Sequence, residues 1–241
     1  MKKSRITLLL LLAIPLAFIS CNSSQKEEIK EEEVMEKPQR TYLALGDSYT
    51  IGEAVAENER WPVELVNRLN ASGYNMAPPK IIAKTGWTTD ELQKEINKEN
   101  ITETYGLVSL LIGVNNQYRG VERGYDTATY RMEFRQLLEQ AIAFADNKKE
   151  NVFVVSIPDY GVTPFVKNED RANIAKELSI YNRIGREETL DKYIRFFDIT
   201  PVSKNAYGDT TLVANDHLHP SGKMYKLWVD IIEPGIKEMI Y

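Results

Sequence analysis

A serine stands in Gly46-Asp47-Ser48-Tyr49, and the chain's only two histidines stand in Asn215-Asp216-His217-Leu218-His219-Pro220, near its other end. A serine hydroxyl is a poor nucleophile until an imidazole accepts its proton, and that imidazole works best when a carboxylate fixes its tautomer and stabilises its charge. Asp216 and His219, three residues apart across a turn, can supply such a pair. His217 is the rival base, but it adjoins Asp216 and in an extended segment points the other way. The chemistry of such a set is acyl transfer through Ser48, which also needs donors for a developing oxyanion. Two further stretches offer them. In Thr85-Gly86-Trp87-Thr88-Thr89 the glycine lets a backbone N–H approach a substrate oxygen closely, and in Gly113-Val114-Asn115-Asn116 an asparagine side chain can donate to the same oxygen. Each block alone is ordinary, since Asp and Ser cap helices and Gly and Asn populate turns; their coincidence carries the argument. A metal site drawn from Asp216, His217 and His219 would have no further histidine, no spare cysteine and no His-Glu-x-x-His spacing, so neither metal nor cofactor is expected.

These residues must be positioned by something, and the pattern between them is an alternation of short aliphatic runs with longer segments of helical period. The runs Thr41–Leu45, Lys80–Ala83, Leu107–Leu111, Asn151–Ile157 and Ile194–Asp198 read as strands. The clearest helix lies between the third and fourth, where Tyr130, Phe134, Leu137, Leu138, Ala141, Ile142 and Ala145 recur at spacings of three and four, a core stripe. Helices are also expected over Trp61–Leu69, Asp90–Ile96 and Arg171–Leu190. A last one, from about Ser221 to Glu238, should be interrupted at Pro234-Gly235. Such βαβ alternation predicts a doubly wound parallel sheet of about five strands, whose ligands bind beyond the carboxyl ends of the strands. All four blocks follow strands or lie in the segment after the fifth. Trp87, Tyr118, Tyr160 and Phe165 fall in or near these loops, as lining of an acyl or sugar pocket or as packing; the sequence leaves both open.

With these blocks in this order, the sequence resembles the SGNH, or GDSL-type, hydrolases. The Gly-Asp-Ser block, the lone glycine of the second block, the Gly-x-Asn block and the Asp-x-x-His block are all present, and the resemblance spans Thr41 to the final helix. It implies a flavodoxin-like three-layer α/β/α fold, Ser48 as nucleophile, His219 as base and Asp216 as its orienter. The Ser48 N–H, the Gly86 N–H and the Asn115 side chain are implied as oxyanion donors. The third block commonly ends in Asp, where this chain has Asn116, and the first ends in Tyr49 rather than Leu. The implied activity is hydrolysis of carboxylic esters, with short-chain acyl or O-acetyl groups expected because the domain has no large insertions to enclose the site. Two other readings stay open. One is a non-catalytic glycan- or partner-binding surface lipoprotein on the same scaffold, and the other an acyltransferase using the same triad.

The first forty residues are of another kind. Lys2, Lys3 and Arg5 precede an apolar run from Ile6 to Ile19, which reads as an export signal and is shorter than the roughly 20 residues of a membrane span. The only cysteine, Cys21, follows Phe18-Ile19-Ser20, similar to the lipobox of bacterial lipoproteins although Phe18 stands where Leu is usual. This implies a lipidated Cys21 as first residue of the mature chain and excludes disulfides within it. Asn22 to Arg40, including Lys26-Glu27-Glu28-Ile29-Lys30-Glu31-Glu32-Glu33, is too charged to bury a core and reads as a flexible tether. Within it, Gln25-Lys26-Glu27-Glu28 also looks like the short signal that sends some Gram-negative lipoproteins to the cell surface. The expected organisation is therefore a signal over 1–20, lipidated Cys and tether over 21–40, and the hydrolase domain over 41–241. The signal holds three of the 30 basic residues and none of the 35 acidic ones, so the net charge of −5 becomes −8 on its removal and nucleic acid is not expected as a partner. The expected substrates are small acyl esters, acylated glycans or lysolipids, met by a monomer anchored to the periplasmic face or cell surface.

Overall fold

The computed structural model describes residues 38–120 and 126–240; the expected signal, Cys21 and most of the tether lie outside them. Five strands, β1 (Tyr42–Gly46), β2 (Lys80–Ala83), β3 (Leu107–Leu111), β4 (Val152–Val155) and β5 (Arg195–Phe197), form one sheet in the order β2-β1-β3-β4-β5. Every pairing is parallel. The order follows from the sequence of apolar runs. β1, β3 and β4 are buried along their whole length, as continuous aliphatic runs require, while β2 and β5 at the edges are partly exposed.

The helices are α1 (Ser48–Ile51), α2 (Trp61–Ala71), α3 (Thr89–Glu99), α4 (Val114–Arg119), α5 (Thr127–Phe144), α6 (Arg171–Asp191), α7 (Thr200–Ser203) and α8 (Gly222–Met239). In α2 and α8 the apolar residues lie at i, i+4 spacing, Trp61-Leu65-Leu69 and Trp228-Ile232-Ile236, all fully buried, and the two helices pack together. On the other side α5 packs between α3 and α6. Tyr130 and Tyr181 meet there at 4.7 Å between ring centroids, and the buried Glu188 takes hydrogen bonds from Arg131 at 2.6 Å and Arg135 at 2.7 Å. The result is a three-layer α/β/α fold. Among the described residues no helix is long and apolar enough to cross a membrane.

The helices differ from the sequence expectation in two respects. Helix α8 runs through Pro234 without interruption. Proline withdraws one backbone donor, but Asp230, whose carbonyl loses that partner, is exposed to solvent, and the buried stripe of Trp228, Ile232 and Ile236 continues in register across it. The short helices α1, α4 and α7, four to six residues each, are too short to show a period and were not expected.

Register places the site. Gly46 at the end of β1 is level with Ala83 of β2 and with Leu111 of β3, so the loops after these three strands begin at one height. Because β1 is where the chain order reverses, that height is the mouth of the crevice at the switch point. The chain enters the domain at the opposite, amino end of β1. There the Arg40 N–H donates to the Asn75 carbonyl at 2.7 Å and the Ala77 N–H donates to the Arg40 carbonyl at 2.9 Å.

Candidate active site

The turn after β1 has room for one backbone path only. A Cβ at Gly46 would lie 2.2 Å from Thr50 Oγ1 and 2.5 Å from the Leu111 carbonyl oxygen, so the residue before the turn has to be glycine. Asp47 then caps α1, its Oδ1 accepting the Tyr49 N–H at 3.0 Å. Its side chain is wholly buried and Oδ2 has no hydrogen-bond partner; burial, partly offset by the backbone hydrogen bonds, pushes its pKa up to about 7. Ser48, the first residue of α1, lines a cleft at the strand ends, and its N–H belongs to the first turn, where a helix has no acceptor of its own.

Gly86 reaches the same cleft from the loop after β2, with a φ of +88°, in the left-handed region that suits glycine. Asn115 reaches it from the second position of α4. One of its amide N–H groups donates to the Trp87 carbonyl at 2.9 Å, which orients the amide on the cleft wall and leaves the other N–H for a ligand. Asn116 does not line the cleft. It is buried, its Oδ1 accepting the Thr89 N–H at 3.1 Å and its Nδ2 donating to Thr89 Oγ1 at 2.7 Å, so it joins the third block to the start of α3.

His219 lines the cleft from the segment before α8. Its Nδ1 is 2.5 Å from Asp216 Oδ2, while Asp216 Oδ1 accepts the backbone N–H groups of Leu218 and His219, each at 3.0 Å. Partial burial raises the pKa of Asp216, but the His219 side chain and these two N–H groups outweigh it and hold the carboxyl below its ordinary range. The ring of Tyr49 packs edge-on against His219 at 5.8 Å and against Trp228 at 6.2 Å, backing the imidazole with buried apolar surface. The Ser48 hydroxyl and His219 share the cleft without a hydrogen bond between them, a contact that in such sites commonly tightens on substrate binding. His217, the other histidine, is exposed, has a φ of +65° and does not line the cleft.

The remaining lining is Tyr49, Thr85, Val114, Tyr118, Tyr160, Phe165 and Leu218, around a volume of about 150 Å3. Three of the four loop aromatics therefore wall the cleft; Trp87 does not, and packs half-buried against the core. Among the described residues no group of three or more His, Cys, Asp or Glu side chains is arranged to hold a metal ion.

Sequence reasoning missed Arg119 altogether. Its Nη2 donates to the Gly86 carbonyl at 2.6 Å and its Nη1 to Glu91 at 3.1 Å, and Glu91 in turn accepts the Thr88 N–H at 3.0 Å. Glu91, three residues after Thr88, carries a capping-box signal readable in sequence. Nothing in the sequence around Arg119 marks it.

The model of the GDSL-like lipase/acylhydrolase family matches residues 44–227. Many solved structures share the fold. A psychrotrophic esterase from Pseudoalteromonas sp. is 16% identical with a TM-score of 0.61, covering 83% of this chain and 97% of its own. A lipase/acylhydrolase from Enterococcus faecalis is 23% identical with a TM-score of 0.62, covering 83% and 96%. An acetylxylan esterase from Geobacillus stearothermophilus is 15% identical with a TM-score of 0.62, covering 83% and 94%. At these identities the likeness is one of fold. No curated protein sequence matches the chain.

Proposed function

The chain belongs to the GDSL-like lipase/acylhydrolase family and is a hydrolase of carboxylic esters, and on that premise we propose that it removes short acyl groups, acetyl foremost, through an acyl-enzyme on Ser48. The observation that carries this reading is the meeting of Ser48, Gly86, Asn115 and His219 in one cleft of about 150 Å3, enough for roughly five water-sized groups at about 30 Å3 each. An acetyl or butyryl group fits within that space, whereas a palmitoyl chain would have to extend beyond it. The acetylxylan esterase among the structural neighbours accords with a small acyl group.

In the proposed reaction Ser48 Oγ attacks the ester carbonyl carbon and His219 Nε2 takes its proton. Asp216 holds the Nδ1 proton and stabilises the imidazolium so formed. The charge that moves onto the carbonyl oxygen meets three donors: the Ser48 and Gly86 N–H groups and the free amide N–H of Asn115. Collapse breaks the ester C–O bond, and His219 returns the proton to the leaving alcohol. Water, deprotonated by His219, then repeats the attack on the acyl-enzyme and releases the acid.

Hydrolysis of a p-nitrophenyl ester series from acetate to palmitate tests this. The expected result is a kcat/KM highest from acetate to butyrate and lost in Ser48→Ala by a factor on the order of 10⁶ in kcat; hydrolysis of no ester, or hydrolysis indifferent to Ser48, would sink the reading. We place the enzyme outside the cytoplasm, anchored through Cys21. Cells fed a labelled fatty acid should label the protein, and Cys21→Ala should abolish the label.

A further inference from the structure

The cleft does not end at its aromatic wall. Tyr118, Tyr160 and Phe165 also line an adjoining groove of about 410 Å3, far roomier than the cleft itself. Phe165 is 49% and Tyr118 60% exposed, and the backbone that carries Phe165 is tied down. The Phe165 N–H donates to the His217 carbonyl at 3.1 Å. Arg171 pins the same loop from beneath, donating to the carbonyls of Val162 at 3.3 Å, Thr163 at 3.3 Å and Val166 at 3.4 Å. Tyr118 meets the edge of Tyr160 at 6.2 Å, and the Tyr160 hydroxyl is fixed by Gln117 at 3.0 Å. Aromatic faces left in water on a pinned loop are a poor use of apolar surface for the free protein and a ready platform for a ligand.

Beyond the rings the groove turns polar. Asp170 at the N-cap of α6 and Asn173 and Glu177 in its first turns, spaced by three and four, line the groove with carboxylate and amide groups, with Lys167 beside them. The proposed reaction says which half of the substrate lies there. The leaving oxygen must take its proton from His219, and Phe165 is bonded to the residue two before His219. Gly86 and Asn115, on the oxyanion side, line the cleft and not the groove.

We propose that the groove is the leaving-group subsite and holds a sugar unit of an O-acylated glycan. The C–H face of the sugar stacks on Phe165 and Tyr118, and its hydroxyls bond to Asp170, Asn173 and Glu177. A lysolipid would need the opposite arrangement, a long apolar acyl channel and a site for a phosphate, which here would meet two carboxylates and a single lysine. The assignment rests on the esterase reading above.

The test compares kcat/KM on acetylated xylooligosaccharides and acetylated chitooligosaccharides with that on p-nitrophenyl acetate, whose leaving group has no sugar hydroxyls. Asp170→Ala at the N-cap of α6 and Asn173→Ala in its first turn, both exposed positions, should lower the oligosaccharide-to-nitrophenyl ratio about tenfold each, through KM, and Phe165→Ala should lower it at least as far. A ratio equal to the parent's in all three variants, with nitrophenyl hydrolysis still dependent on Ser48, overturns the subsite and leaves the esterase standing. Preference for lysophosphatidylcholine over every oligosaccharide, or no oligosaccharide hydrolysis, also overturns it. Absence of any Ser48-dependent hydrolysis removes the esterase reading itself, and the subsite with it.

Discussion

The turn that carries Ser48 and the loop that carries Gly86 start level with one another on neighbouring strands, yet they are held by different means. In the serine turn the constraint is local. Gly46 has no space for a Cβ, Asp47 caps the helix that follows, and Tyr49 and Thr50 are buried beneath it. In the glycine loop most of the constraint comes from elsewhere in the chain: Arg119 and Asn115 hold the carbonyls of Gly86 and Trp87 and Asn116 holds the N–H of Thr89, while the bond from the Thr88 N–H to Glu91 is local. A nucleophile must be rigid and close-packed, and backbone geometry with burial achieves this. An oxyanion donor has to be aimed, and a loop with a left-handed glycine is aimed by side chains that grip its carbonyls.

The largest effect expected from breaking this arrangement is that of Asn115→Ala, which removes one of the proposed donors to the oxyanion together with the bond to Trp87. It should lower kcat by about 10²–10³ on p-nitrophenyl acetate with KM little altered. A variant of undiminished kcat would show that Asn115 serves the loop alone.

Asp47 probes the other side of the comparison. Its carboxyl titrates at about 7 in the folded chain against 3.8 as a free group, because burial opposes its charge. The folded state therefore binds more protons than the unfolded state between these values. Stability contributed by this group is full at low pH, falls as pH rises through the window, and is level above about 7. Asp47→Asn keeps the acceptor for the Tyr49 N–H and removes the charge. Urea unfolding at pH 5 and pH 8 should show a loss of about 2 kcal/mol for the parent that the variant lacks. Equal pH dependence in both would mean that Asp47 is not the titrating group.

The smallest expected effect is at Arg119, which acts on the loop without touching substrate. Arg119→Ala should lower kcat about tenfold, leave KM and Tm nearly unchanged, and weaken inhibition by a phosphonate whose oxygen occupies the oxyanion position. Arg119→Lys should not restore activity, since an ammonium cannot span Glu91 and the Gly86 carbonyl as a guanidinium does. A rise in KM alone would make Arg119 a substrate contact and not a positioning residue.

The same contrast explains what could be read in the sequence. The three central strands were legible because parallel strands buried on both faces are continuous apolar runs, the edge strands β2 and β5 because they are short apolar runs that alternate with helical segments, and α5 because its stripe recurs along an eighteen-residue helix. The close pairing of Asp216 with His219 follows from a spacing of three across a turn. Pro234 misled because a propensity rule ignores the buried face of Trp228, Ile232 and Ile236 that carries α8 past it. Arg119 was illegible because its partners lie 28 and 33 residues away, in contacts that exist only once β2 and β3 flank β1. The division of the loop aromatics was likewise a tertiary matter, Trp87 turning into the core while Tyr118 and Phe165 face out.

The entry of the chain at the amino end of β1, opposite Ser48, bears on what an anchored form of this enzyme would meet. Twenty residues from Cys21 to Arg40 reach at most roughly 66–72 Å, while a domain of some 200 residues has a radius of gyration near about 16 Å. Were Cys21 lipidated as proposed, a domain pulled taut from the bilayer by its Arg40 end would turn its mouth to the medium. It would then graze on polymers drifting past the cell, with the membrane at its back.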